Sequence, residues 1–247
     1  MDRLVYVAMS GAKQTLRAQT TNSYNLANIS TVGFHADLSA FQSQQVQGAG
    51  LPSRAYATDS SVGSDLSAGT IQQTGRNLDV AVQGSGWIAV QSPQGSEAYT
   101  RAGDLRVDPN GQMTTAQGYP VLSDSGPIAV PPYASISVGN DGSISIVPLG
   151  QTPQTVAVCG RIKLVNPPSE SLVRTDGGLF RLHSGGDAAA DATVQLVPGA
   201  LESSNVNMAA AMTNMIELAR SYDMQLKSMK AAEDNDTSST KLLQTSG

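Results

Sequence analysis

Apolar and polar positions follow two different periods along this chain, helical at both ends and strand-like between them. Val5, Ala8, Ala12, Thr15, Gln19, Asn22, Leu26 and Ile29 recur at 3,4 spacing, which puts all eight on one stripe of a helix. Residues 1–30 contain no proline and one glycine, Gly11, and Gly33 supplies a stop signal. The pattern predicts a single helix over 1–30, ~45 Å long at ~1.5 Å per residue. Its stripe is apolar at the ends and polar in the middle. Thr15, Gln19 and Asn22 bury little apolar area and need hydrogen-bond partners if enclosed.

Near the other end, Met208, Met212, Met215, Ala219, Tyr222, Leu226, Met229, Glu233, Asp236, Thr240 and Leu243 run at unbroken 4,3 spacing, with no proline or glycine over 205–246. That predicts a coiled-coil helix of ~60 Å, with Ser203, Ser204 and Asn205 as N-cap candidates. The methionine-rich seam suits an adaptable contact.

Between the helices the period changes twice. Residues 31–75 are rich in Ser, Gln, Gly and Ala, with scattered apolar positions such as Phe34, Leu38, Leu51 and Leu66 and no sustained repeat, which reads as an extended connector. From Leu78 to Val197, runs of four to seven apolar or β-branched residues alternate with turns at Pro93-Gln-Gly95, Asp108-Pro-Asn-Gly111, Asn140-Asp-Gly142 and Asp176-Gly-Gly178. That is an all-β pattern. The expected class is therefore α+β. N- and C-terminal helices pair as a coiled-coil stem around a central all-β domain. The divisions are a discontinuous helical core (1–30 and 201–247), the connector (31–75) and the β domain (76–200). Net charge agrees weakly with pairing: Arg3, Lys13 and Arg17 against Asp2 leave +2 on residues 1–30, and six acids against four bases leave −2 on 201–247. The alternative is that each helix packs separately on the β domain.

Composition narrows the function. Charged residues are 14% of 247 and the net charge is −5, with no Lys/Arg cluster, so nucleic acid is not an expected partner. The longest apolar run, Leu4–Met9, falls far short of the ~20 residues that span a bilayer and of the ~7–15 of a secretory signal core, so neither membrane insertion nor a cleaved signal is expected, and the mature chain is expected to begin at or next to Met1. The single cysteine, Cys159, forms no intrachain disulfide, and two isolated histidines, His35 and His183, provide no zinc set. Gly84-Ser-Gly86-Trp-Ile-Ala89 fits a dinucleotide fingerprint in letters, but Trp87–Gln91 continues as strand where a helix N-terminus is required. The β-region carboxylates Asp104, Asp108, Asp124, Asp141 and Asp176 sit beside Gly, Pro or Ser, as turn residues do. No catalytic, cofactor or metal residues are expected, and the chain reads as a non-enzyme.

Asn25-Leu-Ala-Asn28 followed by Thr31-Val-Gly33-Phe34 resembles the N-terminal signature of bacterial flagellar axial proteins, the rod and hook family. Leu78-Asp-Val-Ala81, Gly84-Ser-Gly86-Trp87, Tyr99-Thr-Arg101-Ala-Gly103 and Gly118-Tyr-Pro-Val-Leu122 resemble its β-domain motifs. Gly199-Ala-Leu-Glu202-Ser-Ser-Asn205 and Arg220-Ser-Tyr222 resemble its C-terminal motif. His35 stands where a lysine is common. The resemblance implies a structural subunit of the flagellar rod, of proximal type, with a distal rod or hook-type subunit as the alternative. It implies transmission of torque across the periplasm, export by the flagellar type III apparatus, and copies of itself and other rod proteins as partners. The expected assembly interface is Asn22, Asn25, Leu26, Asn28, Ile29, Met208, Met212, Met215, Ala219, Tyr222, Leu226 and Met229. A reading from another class, a secreted carbohydrate-binding or adhesive β protein, calls for clustered exposed aromatics, and aromatics are only 4% of the chain.

Overall fold

The computed structural model describes residues 3–45, 55–151, 155–175 and 177–245. Met1, Asp2, Leu51 and Asp176, named above, lie outside them. The chain divides into a helical unit, with both long helices and residues 37–64, and a β unit of residues 28–36 and 65–206.

In the helical unit, α1 (Arg3–Ala27) and α2 (Met208–Thr245) pack on each other, as the paired stem requires. Most of the α1 stripe is covered, with Ala8, Ala12 and Thr15 buried and Val5, Gln19, Asn22 and Leu26 half-buried, but Gln14 and Ala18, each one residue off it, are buried as well. Its polar middle finds partners within the unit. Thr15 Oγ1 donates to the Gly11 carbonyl at 2.9 Å, and Asn22 Nδ2 to the Ala211 carbonyl of α2 at 2.7 Å. Gly11 faces the end of the Gln225 side chain of α2, whose Cδ would lie 2.9 Å from a Cβ at that position.

The helix ends differ from expectation. α1 stops at Ala27, three residues early, because Asn28 closes a turn: its carbonyl takes the Thr31 N–H at 3.1 Å and its Oδ1 the Thr31 hydroxyl at 3.1 Å. α2 is capped by Asn207, whose Oδ1 takes the Ala210 N–H at 3.1 Å. Neither Ser203, Ser204 nor Asn205 is the cap. The Asn205 amide is used within the β unit, where Nδ2 donates to the Asp65 and Ser67 carbonyls and Oδ1 accepts from the Ala36 N–H.

Asp37–Gln45 and Ala55–Ser64 pair antiparallel with one register shift after Leu38. The stretch read as a connector thus holds a two-stranded ribbon, and also Ile71–Gln73, which pairs with Ala200–Glu202. These pairings rest on backbone hydrogen bonds in a Ser- and Gln-rich segment without apolar alternation, so no periodicity announced them.

The β unit is antiparallel throughout its described strand pairs. A five-stranded sheet runs in the spatial order Leu164–Val165, Trp87–Gln91, Glu97–Thr100, Phe180–Leu182, Leu172–Arg174. A three-stranded meander joins Tyr133–Val138, Ser143–Pro148 and Ala157–Arg161. Val80, Ile88, Leu105, Met113, Val121 and Ile144 are fully buried in one core; Trp87, Tyr99, Val165 and Phe180 form a second. At ~25 cal/mol per Å² of apolar surface, each such side chain contributes roughly 1.5–3 kcal/mol.

Candidate assembly interface

On α2, Ala211, Met215, Leu218, Tyr222, Gln225, Met229, Ala232 and Asp236 are covered at 4,3 spacing, and Ser221 and Ser228 beside them are half-buried too. This stripe shares Met215, Tyr222, Met229 and Asp236 with the expected one but takes Ala211 instead of Met212, Leu218 instead of Ala219, Gln225 instead of Leu226 and Ala232 instead of Glu233. The expected positions left over lie on a neighbouring stripe that the chain does not cover. Met208 is 53% exposed, Met212 54% and Leu226 43%, and Ala219 is exposed as well. Thus α2 carries two adjacent seams with Met215, Tyr222 and Met229 between them, one closed by α1 and one open. Sequence spacing cannot separate the two, because both satisfy a heptad and differ by one residue of phase.

Further exposed apolar side chains went unnoticed in the sequence. Ile216 and Met224 on α2, and Tyr6, Met9 and Leu16 on α1, are half or more exposed. The α1 set recurs at 3 and 7 residues, a second stripe broken by Lys13, and that spacing was available as a signal.

The α1 signature residues are spent differently. Asn25 clips the start of the ribbon: Nδ2 donates to the Asp37 carbonyl and Oδ1 accepts the Asp37 N–H, both at 2.9 Å. Leu26, Asn28 and Ile29 are half-buried, the last two beyond the end of α1. Replacing Asn25 by Ala removes both bonds and should lower the stability of the helical unit by about 1–3 kcal/mol. Urea unfolding followed by helical circular dichroism measures this, and an unchanged midpoint would show that the clip contributes nothing.

The β-unit motifs converge on one buried polar cluster. Arg101 Nη1 and Glu202 Oε2 pair at 2.9 Å with both side chains enclosed. Arg101 Nη2 donates to the Gly84 carbonyl at 2.8 Å, Glu202 Oε1 accepts the Gly69 N–H at 2.8 Å, and the guanidinium lies 5.3 Å over the Trp87 ring. Gly33 enters the same place. Its N–H donates to the Glu202 carbonyl at 2.8 Å, its φ is +64°, and a Cβ would lie 2.2 Å from the Arg101 carbonyl carbon. Only glycine fits such a position. The motifs that carry the family resemblance thus touch one another, a meeting that their separation in the chain conceals. Among the described residues, no group of three His, Cys, Asp or Glu side chains could hold a metal ion, and no helix is long and apolar enough to cross a membrane.

These features define a class: chains whose two ends close on each other as one helical unit and whose middle forms a β domain. Three family models match in that order: "Flagella basal body rod protein" over residues 5–35, "Flagellar hook protein FlgE/F/G D1 domain" over 81–146, and "Flagellar basal body rod FlgEFG protein C-terminal" over 197–242. Flagellar basal-body rod protein FlgF of Escherichia coli K12 is 45% identical, covering 98% of this chain and 99% of that protein. FlgF of Salmonella typhimurium LT2 is 43% identical over the same shares, and flagellar basal-body rod protein FlgG of Bacillus subtilis 168 is 33% identical over 95% and 96%. The chain belongs to the flagellar basal-body rod protein family.

Proposed function

We propose that this chain is a structural subunit of the flagellar rod, of the proximal type, which joins copies of itself and other rod subunits and carries motor torque across the periplasm. The observation that carries this reading is the open apolar seam of α2, which runs beside a seam already filled by α1. A monomer has no use for a second heptad stripe of Met208, Met212, Ala219 and Leu226, whereas a subunit whose neighbours are helices does. The near full-length likeness to proteins named FlgF, at 43–45% identity against 33% for the FlgG relative above, favours the proximal over the distal assignment. Export by the flagellar type III apparatus is part of the same reading, which the family membership supports.

Negative-stain images of basal bodies from a strain lacking this chain provide the test. Rods should be absent or truncated, and be restored by the gene. Rods of normal length in its absence would overturn the proposal.

A further inference from the structure

Residues 28–36 are the covalent link between α1 and the Asp37–Gln45 strand, both in the helical unit, yet they belong to the β unit. Within it they are fastened on several sides. The Gly33 N–H bonds the Glu202 carbonyl, the Asn205 N–H the Phe34 carbonyl, and the Ala36 N–H the Asn205 side chain. Arg174 Nη1 donates to the His35 carbonyl at 2.8 Å, and its guanidinium stacks 4.6 Å from the Phe34 ring centre.

His35 is the titratable residue in this link. It is 2% exposed and lies against Trp87 at 5.2 Å and Phe180 at 6.0 Å between ring centres. Nδ1 is 2.9 Å from the Asp65 carbonyl oxygen, an acceptor only, so the proton sits on Nδ1. Nε2 is buried with no hydrogen-bond partner. The ring is thus held in one neutral tautomer. A second proton would go to Nε2, where no acceptor waits, in a cluster that already contains the Arg101 and Arg174 guanidinium groups. The Glu202 carboxylate and Asp65 favour the charged ring, but Glu202 is already bound to Arg101 and to the Gly69 N–H.

We propose that His35 is a proton-operated latch: neutral, it holds residues 28–36 in the β unit, and on taking a second proton it releases them. Burial is the largest influence on the ring and lowers its pKa below the ordinary 6.5; Arg101 adds to this, while the Asp65 bond and the Glu202 charge oppose it. The sign follows. An unfolded or released His35 binds its proton at 6.5 and the latched one only below that, so the latch is at full strength above 6.5 and weakens as pH falls through the window beneath it. The other groups facing the ring, Asp65, Glu202, Arg101 and Arg174, are retained in a His35→Gln variant. Its amide can still donate to the Asp65 carbonyl but takes no proton, so the comparison isolates the ring.

The test is hydrogen exchange of the full chain at about pH 7.5 and about pH 5, corrected for intrinsic rates. In the wild type, the Gly33, Ala36 and Asn205 amides should lose about tenfold or more in protection at the lower pH, while the paired strands Trp87–Gln91 and Glu97–Thr100 stay protected. In His35→Gln the loss should vanish. Equal loss in both proteins, or none in the wild type, overturns the latch. Independently of the variant, a His35 ring signal that titrates at or above 6.5 by NMR, assigned by comparison with His183→Gln, also overturns it.

Discussion

Replacing Arg101 by methionine should destabilise the β unit by about 3–5 kcal/mol, because it leaves the Glu202 carboxylate enclosed without its cation. Arg101 and Glu202 are 101 residues apart in sequence, and their side chains are almost entirely removed from water. Methionine keeps much of the volume and its contact with Trp87, so packing loss stays small beside the charge effect. Changing Glu202 to glutamine as well should recover a large part of the loss, since a neutral amide can still accept the Gly69 N–H. Urea unfolding of the two variants, followed by Trp87 fluorescence, separates these cases. If the single variant melts with the wild type, the pair contributes nothing net and the cluster is held by its other bonds. The double variant falling as far as the single one would show that lost packing, and not the stranded charge, sets the cost.

The sequence made the elements with strong periodicity plain and left tertiary phase hidden. The 3,4 repeat from Val5 to Leu26 marked most of the covered face of α1, including its polar centre, because hydrogen bonds inside a seam leave the same spacing as apolar contacts, but it passed over Gln14 and Ala18, which are buried one residue off it. On α2 the same reasoning selected a stripe of which α1 covers one column, Met215, Tyr222 and Met229, and leaves the other, Met212, Ala219 and Leu226, exposed. Two heptad seams one residue apart are equally regular, so the choice between them is made by tertiary packing and leaves no trace in spacing. The ribbon at 37–64 was illegible because strands held by backbone bonds and an Asn25 clip carry no alternation. Strands in the apolar region were easier, and Trp87–Gln91 and Leu105–Val107 fall where the turn signals bracket them. The Arg101, Glu202 and His35 cluster joins segments far apart in the chain, and no spacing rule in one dimension reports such a meeting.

Leu226→Asp should abolish rod formation while leaving the isolated subunit folded. Leu226 lies on the open seam of α2, between the half-buried Tyr222 and Met229, and is 43% exposed in the single chain. In the monomer an aspartate there stays in water and changes stability by no more than ~0.5 kcal/mol. If a neighbouring helix covers the seam, the same carboxylate is enclosed without a partner at a cost of several kcal/mol, and every ~1.4 kcal/mol lowers the association constant tenfold. The cost recurs at each copy. Two controls bracket the result. Lys227→Asp changes an exposed position one residue off the seam, and an exposed charge pair is worth only ~0–1 kcal/mol, so assembly should persist. Ala232→Asp enters the seam that α1 already fills, where Ala232 is 1% exposed, and should unfold the helical pair in the monomer itself. The three variants therefore have different signatures in thermal melting of the purified chain and in swimming of a complemented strain. Leu226→Asp should melt like the wild type and fail to restore motility; Ala232→Asp should fail in both; Lys227→Asp should pass both. Leu226→Asp swimming as well as Lys227→Asp would mean that the open seam faces water in the rod, and that the interface lies on other faces of the helical unit.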